Sequence, residues 1–123
     1  MTTDKDVDWR GDSKEILRAW PEVAKENIGA DLRRLQQGKM PKNWKPFPGL
    51  KDNAFELRDK DGNKLYRVIY VTLIKGKIVV LHSFTKTSEK TEQPDVNAAN
   101  QRLKELLEEQ TDLKRKAKKK GQK

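Results

Sequence analysis

In the middle of the chain, three stretches carry the hydrophobic and polar pattern of β-strands. They cover residues 54–59, 64–74 and 77–84, and they combine alternating polarity with many β-branched and aromatic residues. Asp61 and Gly62, and then Lys75 and Gly76, separate them as plausible tight turns. The pattern therefore predicts an antiparallel meander of three strands.

Before these strands, apolar residues recur at helical spacing. Asp12 can cap a first helix, with Glu15 three residues later as in a capping box. Pro21 either kinks this helix or opens a second one, and Gly38 is a natural end. These features predict a helical hairpin with one apolar stripe. The stripe consists of Ile16, Leu17, Trp20, Ala24, Ile28, Leu32 and Leu35.

Three further segments complete the predicted fold. Val7 and Trp9 alternate with polar neighbours, which indicates a short first strand. Residues 38–53 contain three prolines and two glycines, which favours a loop without regular structure. Residues 94–110 have the spacing of an amphipathic helix. The predicted fold class is α+β, with the N-terminal helical hairpin packed on a small antiparallel sheet and a C-terminal helix.

Composition limits the chemistry that the chain can support. It has 123 residues, enough for one domain, with no cysteine and a single histidine, His82. Disulfides and thiolate metal sites are excluded, and a histidine-based metal site is disfavoured. The first twelve residues are polar and acidic, unlike a signal peptide, and no apolar run approaches the roughly 20 residues of a membrane-spanning helix. We expect a cytoplasmic protein without metal or cofactor.

The net charge of +9 is distributed unevenly. Residues 111–123 contain seven Lys or Arg and one Asp, a net +6, which leaves +3 for residues 1–110. We expect a domain over residues 1–110 and a lysine-rich, disordered tail over residues 111–123. The tail is either a solvated extension or an aid to association with nucleic acid.

The strand pattern also predicts which side chains share a face. With two-residue loops, Arg67 lies opposite Glu56 and Phe84, and Arg58 lies opposite Leu65. The polar face then gathers Glu56, Arg58, Arg67, His82, Phe84 and Lys86. The other face presents Phe55, Leu57, Val68, Tyr70, Val79 and Leu81, and it is expected to dock the helical hairpin.

A face that combines cations, an imidazole and an aromatic ring suits an RNA backbone and a stacked base. Structural alternatives stand beside this interpretation. Arg67 can instead form a structural pair with Glu56, and His82 can be an ordinary core histidine. The residues by themselves indicate a small α+β domain that binds an anion.

The chain resembles the phage-derived, HigB-like branch of the RelE toxin superfamily, from about Trp9 to Leu107. The matching segments, in order, are WRGDSKEILRAWPE, GADLRRLQQGKMPKNWKPFPGL, FELRD, LYRVIYV and VVLHSFTKTSEKT. The resemblance implies a RelE-like fold with a basic concave surface. It also implies a type II toxin, an mRNA interferase that acts on the translating ribosome, and a small helix-turn-helix antitoxin as its partner.

The resemblance also assigns residues. Arg58, Arg67, Lys86 and Lys90 match basic positions of the family, and His82 matches a position that is usually histidine. In two respects the chain departs from its relatives. Where they tend to carry paired lysines, this sequence reads Lys86 followed by a threonine. In addition, no tyrosine follows residue 70, whereas some RelE toxins use a C-terminal tyrosine.

The predicted reaction uses the 2′-hydroxyl of RNA as the nucleophile, so that no metal is required. Arg67 is expected to bind the scissile phosphate, with Arg58 and Lys86 stabilising charge. His82 is the candidate acid or base. Further predicted RNA contacts are Lys90, Phe84 (by stacking on a base), Lys64 and Lys45. The alternative is a non-catalytic nucleic-acid-binding module or an inactive, prophage-derived remnant.

Overall fold

The computed structural model describes residues 4–50, 53–87 and 93–121. The predicted α+β class is confirmed, with helices on both sides of one mixed sheet. The elements in chain order are β1 (Asp6–Trp9), α1 (Ser13–Arg18), α2 (Glu22–Gln36), β2 (Trp44–Phe47), β3 (Ala54–Asp61), β4 (Lys64–Val71), β5 (Lys77–Lys86) and α3 (Gln93–Gly121).

The sheet has five strands in the order β1-β5-β4-β3-β2. Strands β3, β4 and β5 form the predicted antiparallel meander, and β1 adds to β5 in parallel. Strand β2 corrects the prediction of an irregular loop over residues 38–53, because Trp44–Phe47 pairs antiparallel with β3. Pro46 is compatible with this strand, since β2 is an edge and its outer side needs no backbone donor.

The first hairpin turns one residue later than predicted, which shifts the partner of every residue in β3 by two positions. Asp61 pairs with Lys64 across a loop of Gly62 and Asn63, so Arg58 lies opposite Arg67 rather than opposite Leu65. Gly62 has a φ of +59°, a left-handed value that glycine adopts without strain. The change in pairing is an even number of residues, so every side chain of β3 keeps its predicted face.

The second hairpin follows the prediction only in part. Arg67 lies opposite Phe84 and Ile69 opposite His82, as predicted, but Tyr70 then pairs with Val80. Leu81 is the extra residue of a β-bulge, which interrupts the alternation along β5. Val79 and Leu81 therefore face the same side as His82, and the prediction that they contact the helical hairpin is wrong.

Each face of the sheet packs against its own helical layer. The predicted docking of the helical hairpin is confirmed on one face, where the core consists of Trp20, Ala24, Ile28, Leu32, Leu57, Tyr66, Val68, Tyr70, Ile78 and Val80. On the other face, α3 covers a second core of Phe47, Leu50, Ala54, Ile69, Val71, Val79, Leu81, Phe84, Ala99, Leu103 and Leu106. Helix α3 therefore covers part of the polar face that the sequence predicted.

The termini of the first two helices fit their sequence signals with one difference. Pro21 occupies the N-cap of α2, and Gly38 follows its C-terminus with a φ of +76°. Asp12 occupies the N-cap of α1, but its side chain makes no capping hydrogen bond. Its carboxylate instead accepts a hydrogen bond from Arg102 of α3.

Helix α3 continues to Gly121, which corrects the predicted helix end at Gln110. The disorder of the lysine-rich tail in solution stays a prediction. Residues 112–121 contain five Lys, together with one Leu, one Arg and one Ala, and all four residue types are strong helix formers. The side chains of residues 111–117 are all exposed. Neither α3 nor any other helix in the described ranges is long and apolar enough to cross a membrane.

Because the side chains of residues 114–117 are exposed to solvent, deletion of residues 114–123 should hardly change the stability of the domain. We expect a change in Tm below about 3 °C, measured by circular dichroism, as for surface changes that remove no buried contact. A substantially larger decrease in Tm would show that the end of α3 packs on the domain.

Candidate nucleic-acid interface

A groove of about 410 Å³ opens on the α3 side of the sheet, where β2, β3 and β4 run side by side. It brings together three of the predicted cations and one carboxylate: Lys45, Arg58, Arg67 and Glu56. Pro46, Phe47, Pro48, Gly49 and Val96 complete the lining. The register explains the grouping, because Lys45 lies opposite Glu56 and Arg58 lies opposite Arg67.

The base of the groove is a buried ion pair between Glu56 and Arg67. The Nε of Arg67 donates to Oε2 of Glu56 at 2.8 Å, and Nη2 of Arg67 bonds the same oxygen. The Nε of Arg58 lies 3.3 Å from the other oxygen, Oε1. Glu56 is 3% exposed and Arg67 is 5% exposed. Removal of either residue would therefore leave the other as a buried charge without its counter-charge, which is strongly destabilising. One carboxylate thus orients two guanidinium groups.

Phe84 supports this ion pair from β5. The guanidinium carbon of Arg67 lies 5.0 Å from the centre of the Phe84 ring, within the range of a cation–π contact. The imidazole of His82 stacks against the same ring, with centroids 5.2 Å apart. Phe84 is buried and, unlike Arg67, does not line the groove, so it supports Arg67 and is not placed to stack on an RNA base.

His82 has hydrogen-bond partners on both ring nitrogens. Nη1 of Arg102 lies 3.1 Å from Nδ1, and a guanidinium can only donate, so Nδ1 is the acceptor. The ring proton is therefore on Nε2, which donates to Oδ1 of Asp95 at 2.9 Å. His82 is buried, and it is not one of the residues that line the groove. This arrangement makes it a positioning residue and does not favour the predicted acid–base role.

Asp95, in the first turn of α3, joins His82 to Lys86. Its Oδ2 accepts a hydrogen bond from the Lys86 ammonium at 2.6 Å. Burial raises the pKa of Asp95, but the hydrogen bonds from Lys86 and His82 outweigh it and lower the pKa below its ordinary value. Lys86 therefore anchors the start of α3 to β5, rather than lining the groove with Arg67.

Arg102 was not predicted as part of the site. Besides His82, its guanidinium donates to the carbonyl of Leu81 and to Asp12, both at 2.8 Å. It passes directly over Gly11, where any β-carbon would collide with it. No spacing in the sequence marks Arg102, because α3 carries many charges and only the assembled fold selects this one.

The remaining predicted residues lie apart. Lys64 is exposed beside the β3–β4 turn, and the alternation of β4 places it on the face opposite Arg67. Lys90 lies outside the described residues. Within the described ranges, no three histidine or carboxylate side chains converge as ligands for a metal ion.

Residues 15–104 match a family model, Phage derived protein Gp49-like. The chain belongs to this family. It is a phage-derived toxin family of the RelE/HigB type. The match runs from α1 into α3 and includes every groove residue, whereas β1 and the lysine-rich end lie outside it. No curated protein and no solved structure matches the chain significantly.

The close approach of Arg102 to Gly11 predicts an unequal effect of two similar substitutions. Gly11 and Gly62 have nearly the same φ, +55° and +59°, but a β-carbon at Gly62 meets nothing. Both changes to Ala should cost about 1–2 kcal/mol through backbone strain. Gly11→Ala should cost about 1–3 kcal/mol more, because Arg102 must leave hydrogen-bond partners.

Chemical denaturation measures both costs, and the ¹⁵N chemical shifts of the His82 ring report its tautomer. The shifts should change in Gly11→Ala and stay unchanged in Gly62→Ala. Equal losses of unfolding free energy in the two variants, with identical ring shifts, would contradict the inference that the hydrogen bond from Arg102 fixes the tautomer of His82.

The lowered pKa of Asp95 predicts a dependence of stability on acid pH. Its contribution should be complete above the ordinary pKa of 3.8 and should be lost as the pH falls through the lower folded-state value. Asp95→Asn should reduce the free energy of unfolding by about 1–3 kcal/mol at neutral pH and flatten this acid decline. Asp112→Asn, on the exposed side of α3, is the matched control. Parallel stability–pH curves for wild type and Asp95→Asn would refute the assignment.

Proposed function

We propose that the protein is the toxin of a type II toxin–antitoxin pair and that it cleaves messenger RNA at the ribosome. Two observations support this proposal. The chain belongs to a phage-derived toxin family, and its groove collects three cations around one buried carboxylate. The groove carries a net charge of +2 from Lys45, Arg58, Arg67 and Glu56, which suits a phosphodiester.

In the proposed reaction the 2′-hydroxyl attacks the adjacent phosphate. The P–O bond to the 5′-oxygen of the next nucleotide breaks, the hydroxyl proton is lost, and the leaving oxygen gains a proton. The products are a 2′,3′-cyclic phosphate and a 5′-hydroxyl. Because RNA supplies the nucleophile, the protein needs only to align the groups and to stabilise the charge that develops on the phosphate.

In this proposal the groove residues share these roles. Arg67 and Arg58 bind the phosphate, since planar guanidinium groups match its oxygens. Glu56 is a positioning residue, because it orients both arginines. Lys45 contacts the RNA backbone at the exposed rim. Proton transfer falls to other groups of the groove or to water, since both nitrogens of His82 are engaged.

A second candidate function is RNA binding without cleavage. Two observations favour it. Glu56 pairs with Arg67, and both ring nitrogens of His82 are hydrogen-bonded to protein side chains outside the groove. In that case the groove grips phosphates and performs no chemistry. A partner is proposed for either function. A helix-turn-helix antitoxin would inhibit the protein by covering the basic groove, where complementary charge favours association.

Replacement of Arg67 tests the proposed reaction. Arg67→Ala should slow cleavage by about 10²-fold or more, the scale of losing one aligned charge-stabilising group. That variant also leaves Glu56 buried without its main partner, so Arg67→Lys is measured beside it, with folding checked by circular dichroism. The lysine keeps the charge but loses the planar fork, and we expect it to remain folded and slow. Arg18→Ala, exposed on α1, is the control and should be as active as wild type.

The substrate provides the decisive comparison. RNA with a single 2′-deoxy nucleotide at the cleavage site should bind but resist cleavage, in ribosome-containing assays and on free RNA. Efficient cleavage of that substrate would exclude the 2′-hydroxyl mechanism. Tight RNA binding with no cleavage by wild type would establish the non-catalytic candidate instead.

A further inference from the structure

A second groove, of about 320 Å³, lies between α2 and β3 at the edge of the sheet. Of its residues, the reaction proposed above uses only Arg58. All of the lining residues except Ala30 have polar or charged side chains; they are Asn27, Ala30, Asp31, Arg34, Lys42, Asn43, Arg58 and Asp59. The groove thus contains three cations, two carboxylates and two amide side chains.

Arg58 belongs to both grooves, and the sheet explains why. Strand β2 pairs with β3 only as far as Trp44 opposite Leu57. One more hydrogen bond follows, from the N–H of Arg58 to the carbonyl of Asn43 at 3.0 Å. Beyond this point no strand of the described residues lies on the β2 side of β3, so Arg58 lies where this edge of the sheet becomes open. It links the α3 side of the sheet with the α2 side.

The two carboxylates of the second groove are occupied by structural hydrogen bonds. Asp31 is 5% exposed, and its oxygens accept the backbone N–H groups of Lys42 at 2.8 Å and Asn43 at 3.1 Å. Asp59 accepts a hydrogen bond from the side-chain amide of Asn27 at 3.0 Å. Asp31 therefore fixes the backbone that carries Lys42 and Asn43. Arg34 is half-buried, and Lys42 is exposed.

We propose that the second groove binds the nucleotide adjacent to the one held at Glu56 and Arg67. Arg34 and Lys42 bind its phosphate, and the Asn43 amide, which can both donate and accept, contacts a base edge. Arg58 lies between the two sites and contacts the connecting backbone. This inference rests on the proposed function, because it requires RNA in the first groove. It extends the RNA path around the open edge of β3.

The length of the RNA provides the test. The probes are a dinucleotide without terminal phosphates, whose single phosphate is held in the first groove, and a hexanucleotide. Both have 2′-O-methyl riboses, which cannot be cleaved, and affinity is measured at several salt concentrations. Arg34→Ala/Lys42→Ala should bind the hexanucleotide about tenfold or more weakly. Its dependence of log K on log salt should decrease by about 1.4, since each lost contact to single strands contributes roughly 0.7. Binding of the dinucleotide should stay unchanged.

Lys14→Ala/Arg18→Ala removes the same charge from the exposed side of α1 and is the matched control. Arg67→Lys reports on the first groove. If Arg67→Lys weakens binding while the Arg34/Lys42 variant equals the control, the second groove is refuted and the proposed function stands. Equal losses for both RNA lengths would also refute a separate second site. If wild type binds neither RNA, the second groove is refuted, and the cleavage assays described above decide the proposed function.

Discussion

The buried carboxylate of Glu56 is the constraint on which the arrangement of the groove depends. A carboxylate in an apolar sheet loses its hydration, and the guanidinium groups of Arg67 and Arg58 compensate for that loss. Both strands must therefore keep the register that places these groups on one face. Apolar residues of similar volume would often serve stability equally well. The charged set instead holds two cations at fixed positions beside solvent, as the binding of a phosphate requires.

A second polar cluster fixes the wall of the groove. Asp95 bonds His82 and Lys86, and Arg102 bonds His82 and the carbonyl of Leu81, so the first turns of α3 are anchored to β5. Val96, which lines the groove, follows Asp95 directly. His82 also reaches the ion pair through the Phe84 ring. The two polar clusters thus act as one support, in which His82 connects the first turns of α3 to the ion pair.

The sequence was informative where a local pattern controls structure. Period-two alternation located the three central strands, and the grouping of Glu56, Arg58 and Arg67 survived an incorrect turn because the shift was even. Three features depend on tertiary contacts that no local pattern encodes. Strand β2 forms because β3 offers an open edge, the bulge at Leu81 breaks the alternation, and Arg102 is selected by its position over Gly11. The charged residues of the groove could therefore be predicted from the sequence, but the packing of β2 and α3 that forms its walls could not.

The bulge at Leu81 has a consequence for how this strand can vary in evolution. It divides β5 into two halves whose patterns are out of phase, so the half before Leu81 serves the two cores and the half after it serves the polar cluster. Substitutions can accumulate in either half without disturbing the phase of the other. Loss of Leu81 itself would remove the bulge and leave both halves facing as they do now, because Val80 and His82 already lie on opposite faces of the sheet. Loss of any other residue of the strand would turn the residues beyond it to the opposite face. Relatives of this protein should therefore differ in the presence of the bulge more readily than in the length of either half.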